Sequence, residues 1–162
     1  MSNQISEEQK NRQARLMALA RGSRLFQIAS DKMDDAFCRL VGINLTDGRC
    51  IDLLDVHGAM TAGELAQAAS LSPGAVTTVL DRLERMELVT RTRDEADRRR
   101  VLVDITPKAR ELAWSMYGPI AGYAREYLDA LSDEEIEVIN RFLEVATEIN
   151  ERRAREVGAL EA

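Results

Sequence analysis

Two dipeptides that join a capping hydroxyl to a proline, Ser72-Pro73 and Thr106-Pro107, bracket the segment that most constrains how this chain can fold. Each puts an N-cap side chain directly before a residue pre-set for the first helical position, so each marks where a helix begins. Between them the hydrophobic period changes. Val76, Val79, Leu80 and Leu83 recur at helical spacing and predict a helix from Ser72 to about Met86. Leu88–Arg93 and Val101–Ile105 are then short, β-branched and partly alternating, and are joined by the polar run Asp94-Glu-Ala-Asp-Arg-Arg-Arg100. That pattern predicts a hairpin with a long, charged tip.

The flanking sequence reads as helices. Leu19, Phe26, Met33 and Leu40 recur every seven residues, with Leu16, Ile28, Phe37 and Val41 widening the stripe, and predict a helix over 8–41 that ends at Gly42. Thr46 is placed to cap a second helix, 47–57, which stops at Gly58. Thr61-Ala-Gly-Glu64 has the spacing of a capping box and opens a short helix to about Ala69. After Thr106-Pro107 come Leu112, Met116, Ile120, Tyr123, Tyr127 and Leu131, with a kink expected at Gly118-Pro119. Ser132-Asp-Glu-Glu135 is another capping box, and its helix reaches about Val157. The expected fold is mainly α with a small β-hairpin wing. It is a single domain in which a winged helix-turn-helix lobe, 45–106, is flanked by long helices at 8–41 and 107–157.

Charge becomes informative once it is mapped. The 162 residues carry a net charge of −6, yet Arg82–Arg110 holds nine basic and six acidic residues, so the remainder carries −9. A basic patch on an acidic body suits a protein that meets a polyanion through one face. The helix from Ser72 has an outer face compatible with a major groove: Ser72, Pro73, Gly74, Thr77 and Thr78, with Arg82 two turns along and placed for a phosphate. An ordinary surface helix would also carry such residues. The hairpin tip separates the two readings, because Arg98, Arg99 and Arg100 stand where a structural loop would more usually carry Gly, Asn or Asp. Arginine suits a narrow minor groove, and Asp97 suits a group that shapes the tip.

Other classes find little support. One histidine, two cysteines twelve residues apart, and no GxGxxG, GxSxG or P-loop pattern leave no catalytic residues, metal site or cofactor to name. Cys38 and Cys50 read as small buried residues. The polar N-terminus MSNQISEEQKNRQ lacks an apolar stretch of signal-peptide kind and no run is long enough for a bilayer, so a cytoplasmic location is expected. RNA binding would call for aromatics among the basic residues, and none is there. A winged helix used for protein contacts is the closer rival. It would lack both the arginine-rich tip and the small polar helix face.

Over Leu71–Pro107 the sequence resembles the MarR family of bacterial transcription regulators. Asp97-Arg98-Arg99 followed by Val101, Val103, Ile105 and Thr106 is similar to that family's wing. Asp81-Arg82-Leu83-Glu84 is similar to the end of its recognition helix, and Thr61–Ala66 to the helix before it. Glu87 and Ala109 depart from it, standing where glycine is common. The resemblance implies that Thr77, Thr78 and Arg82 contact the major groove and backbone. It also implies that Arg99 is the minor-groove arginine, braced by Asp97, with Arg98 or Arg100 near phosphates and Thr61 at a helix cap near the backbone. It further implies a homodimer held by the terminal helices, a pseudo-palindromic site in double-stranded DNA, and repression. A small aromatic or anionic effector would bind near Met33, Phe37, Cys50, Leu53, His57 and Trp114.

Overall fold

The computed structural model describes residues 6–160, so the first five residues of the polar N-terminal stretch lie outside it. Six helices and three short strands follow in the order α1 (Glu7–Val41), α2 (Leu45–His57), β1 (Met60–Thr61), α3 (Ala62–Ala68), α4 (Pro73–Arg85), β2 (Val89–Arg93), β3 (Val101–Ile105), α5 (Pro107–Leu128) and α6 (Asp133–Gly158). The sheet is antiparallel in the order β1-β3-β2. Val89 faces Ile105 and Arg93 faces Val101 across the hairpin, while Met60 and Thr61 pair with Val103 and Leu102. Strand β1 has no counterpart in the sequence reading, since two residues carry no period.

Most boundaries follow from caps. Ser6, Asn44, Thr61 and Ser132 each accept a bond from a backbone N–H three residues on, and Gln9, Asp47, Glu64 and Glu135 return it in reciprocal capping boxes. At α2 this corrects the expectation for Thr46: Asn44 is the cap, and Thr46 lies inside the first turn. Ser72 caps α4 with Pro73 behind it, as the dipeptide predicts.

Three helices end alike. The N–H of Ile43, Leu71 and Leu88 reaches back five residues to the carbonyls of Cys38, Ala66 and Leu83. Between each pair stands a left-handed residue: Gly42, Ser70 at φ 56° and Glu87 at φ 61°. Glycine adopts this conformation without cost, whereas Ser70 and Glu87 are each strained by about 1 kcal/mol. Glu87, the departure noted in the sequence, thus occupies the position where glycine is easiest. Its carbonyl accepts from the Thr106 hydroxyl at 2.7 Å and its carboxylate from Lys108 at 2.8 Å, which hold the turn.

Two compact units make up the chain, one ending at Met116 and the other beginning at Tyr117, so the boundary falls inside α5 beside Gly118-Pro119; α5 itself is helical through Pro119. The first unit owns the core. Leu54, Leu65, Leu80, Leu83, Leu88 and Val103 are fully buried, and each contributes about 1.5–3 kcal/mol by leaving water. Packing of α1 on α2 leaves no slack: a Cβ on Gly48 would stand 2.8 Å from the Cys38 sulfur. The second unit is different, for α6 buries none of its side chains.

Candidate nucleic-acid interface

Helix α4 projects the small face that the sequence predicts. Val76, Val79, Leu80 and Leu83 are buried, leaving Ser72, Pro73, Gly74, Thr77 and Thr78 on the exposed side. A Cβ at Gly74 would meet nothing within 4 Å, so this part of the surface is open to close approach. The Thr77 and Thr78 hydroxyls donate to the carbonyls of Pro73 and Gly74 at 2.9 and 3.0 Å. With their protons so committed, the two threonines present methyl groups and acceptor lone pairs outward.

The wing is built by two aspartates. The Asp94 carboxylate accepts from the Ala96 N–H at 2.8 Å, and that of Asp97 from the Arg99 N–H at 3.0 Å. Backbone bonds from Arg100 to Asp97 and from Asp94 to Arg100 close the tip at its base. Asp97 therefore braces the backbone of Arg99 rather than its guanidinium.

Cation by cation, the structure divides a basic segment that sequence could only count. Arg91 on β2 reaches Asp81 at 2.7 Å and Glu84 at 2.5 Å, clamping the wing strand to α4. Lys108 pairs with Glu87, and Arg110 with Asp104 and Asp55. Arg85 turns its Nε to the Asp81 carbonyl at 3.1 Å. Arg93, Arg98 and Arg99 make no hydrogen bond or ion pair through their guanidinium groups among the described residues, and all three are exposed.

Two arginines expected near phosphates are engaged otherwise. Arg100 donates to Glu64 at 3.0 Å and lies 3.9 Å from Asp94, which ties the wing to the start of α3. Arg82 forms a two-pronged pair with Asp47: Nε donates to Oδ2 at 2.8 Å, and Nη2 donates to Oδ1. Neither arrangement is readable from sequence, since the partners lie 36 and 35 residues away. The Thr61 hydroxyl is likewise engaged, donating to Glu64 at 2.8 Å while accepting from its N–H. Bonds from Thr61, joined by Arg100, hold the Glu64 carboxyl below its ordinary range. Arg93, which the sequence reading counted only as part of the basic segment, stands exposed at the end of β2.

The six proposed effector residues are split between core and surface. Phe37 and Cys50 are buried, Leu53 packs against the core, Met33 is half-buried, His57 is exposed and Trp114 is 74% exposed. Burial pushes the Cys38 thiol up, with Asp52, Asp34, Asp35 and Asp47 adding to it, and pushes that of Cys50 to about 11. Both thiols thus stay protonated at neutral pH, as expected of small core residues. No helix among the described residues is long and apolar enough to cross a membrane.

Known proteins share this arrangement. A family profile described as the MarR family matches residues 43–101, the span from α2 into the wing. The Bacillus subtilis HTH-type transcriptional regulator YcgE is 34% identical over 116 residues, covering 72% of this chain and 75% of its own. Among solved structures, a MepR mutant from a Staphylococcus aureus isolate superposes with a TM-score of 0.64 at 24% identity, covering 78% of this chain and 94% of that one. Streptococcus pneumoniae FabT, solved in complex with DNA, gives 0.57 at 24% identity, covering 83% of this chain and 98% of that one. At these identities the solved structures establish the fold, and YcgE with the profile establishes kinship. The chain belongs to the MarR family, whose members are DNA-binding transcription regulators and not enzymes.

Proposed function

We propose that this regulator binds a pseudo-palindromic operator in double-stranded DNA as a homodimer and represses the gene downstream. In this reading α4 lies in the major groove, with Ser72, Pro73, Gly74, Thr77 and Thr78 toward the bases, and the wing places Arg98 and Arg99 at the adjacent minor groove. The observation that carries it is the division of the basic residues. Arg82, Arg91, Arg100, Lys108 and Arg110 are neutralised within the chain, while Arg98 and Arg99 stand at the wing tip without a carboxylate partner among the described residues. A tip that ordered its backbone through Asp94 and Asp97, yet left two guanidinium groups in water, is pre-organised for a polyanion. The outward methyls of Thr77 and Thr78 suit contact with thymine methyl groups.

Repression follows from occupancy, since a dimer seated across upstream DNA excludes the polymerase. Release by a small aromatic or anionic effector would require a compound that binds the DNA-free form of the dimer better than the DNA-bound form. The test is binding to a labelled duplex from the chain's own upstream region across a salt series, wild type beside Arg99→Ala. Tight binding that resists competitor is expected, with the Arg99→Ala salt slope smaller by about one unit. Absence of specific binding to that fragment and to a random-sequence pool would overturn the reading in favour of a protein-contact module.

A further inference from the structure

Asp47 is the only buried polar or charged side chain among the described residues, with no exposed surface at all. It stands in the first turn of α2, where its Oδ2 accepts from the Asn44 N–H at 3.1 Å. The same carboxylate takes both prongs of Arg82, which reaches across from α4. One buried charge is thus fully satisfied by a helix cap and by the recognition helix.

We propose that Asp47 is a positioning residue for DNA recognition: through Arg82 it fixes the rotation of α4 about its axis, and so the direction in which Thr77 and Thr78 face. The proposal rests on the DNA-binding reading above. Arg82 lies four residues after Thr78, on the same side of the helix, so the azimuth of one sets that of the other. The apolar stripe of α4 also favours one orientation, but apolar contacts have no directional preference and tolerate small rotations. A planar guanidinium fork on a carboxylate fixes angle as well as distance. Stability alone is a poor reason for such a pair, because an apolar pair of similar volume often serves a core as well or better. What the ion pair adds here is orientation.

Three variants test this against the wild type. Asp47→Asn keeps an oxygen for the Asn44 N–H but sets an amide donor against the guanidinium. Arg82→Lys keeps the charge and loses the fork. Asp47→Leu with Arg82→Met removes both charges together, so no unpaired ion is left in the core and the variant remains measurable if Asp47→Asn unfolds. The readout is the ratio of affinities for the upstream duplex and for a scrambled duplex of equal length, each over a salt series, with melting temperature as the control for folding. The ratio is expected to fall about tenfold or more in the folded double variant and in Asp47→Asn, while binding to the scrambled duplex and the salt slope stay near wild type. Arg82→Lys should lie between. A folded double variant with an unchanged ratio would overturn the proposal. So would equal weakening on both duplexes with a slope smaller by about one, since that is the signature of a phosphate contact. A wild type that prefers no duplex would instead sink the DNA-binding reading and this proposal with it.

Discussion

On α2, Asp52 shows how partial burial, with like charges from another helix beside it, can set a side chain's chemistry. Loss of solvent around its carboxyl pushes its pKa from 3.8 to about 6, and the carboxylates of Asp34 on α1 and Asp55 on α2 add to the rise. The ionised form is therefore the one the fold disfavours. Below the ordinary value the group is protonated in both folded and unfolded chains and costs nothing. Between 3.8 and about 6 the cost grows, and above that it is complete. Asp52→Asn should accordingly stabilise the protein at pH 7, by less than about 1 kcal/mol because the side chain reaches solvent and is screened. The gain should vanish at pH 4, which paired denaturant titrations at the two values will check; a gain that persists at pH 4 would contradict this account. Nothing in the sequence marks Asp52 among the acids of this chain, for its partner Asp34 lies 18 positions earlier. Residue Glu87 is the opposite case: its departure from a common glycine is visible in the sequence, and the structure gives the reason it matters, a left-handed turn closed by Thr106 and Lys108.

Among the elements, those with a cap and an unbroken period were legible. The capping boxes at Thr61 and Ser132 and the cap at Ser72 start α3, α6 and α4 where the side-chain spacing says they should. The wing strands also follow from pattern. What pattern could not supply is how the wing is tied down, because its ties are ion pairs between distant segments: Arg91 to Asp81 and Glu84 on α4, and Arg100 to Glu64 on α3. This separates the three wing-tip arginines into two roles. Arg100→Ala should lower DNA affinity several-fold by loosening the wing while leaving the salt slope at its wild-type value, in contrast to the loss of about one unit expected for Arg99→Ala. Its effect on stability should be under about 1 kcal/mol, as both partners are half exposed. A slope that drops for Arg100→Ala as it does for Arg99→Ala would show that the pair with Glu64 opens on DNA.

For the molecule as a whole, the terminal helices pose a question of coverage. On α1, Leu16, Leu19, Leu25, Phe26 and Leu40 are exposed, with Phe26 at 71%; on α6, the helically spaced Ile139, Leu143 and Ile149 are exposed as well. Helical stripes of this kind are stable when a partner covers them. A second copy of the chain is the partner the proposed operator symmetry calls for. Sedimentation at micromolar concentration should give a dimer, and Phe26→Asp should yield monomers that lose operator affinity while the wing and α4 remain folded. A monomeric wild type would refute the dimer. By itself, the sequence determined where helices and strands begin, which stripes are apolar, and which short segment carries surplus positive charge, because caps and periods are local. Only the tertiary structure decided which of those charges pair with carboxylates of the chain and which, among the described residues, do not. It also decided that Asp47 would be the one buried charge among the described residues, because ion pairs form between groups that the chain brings together only by folding.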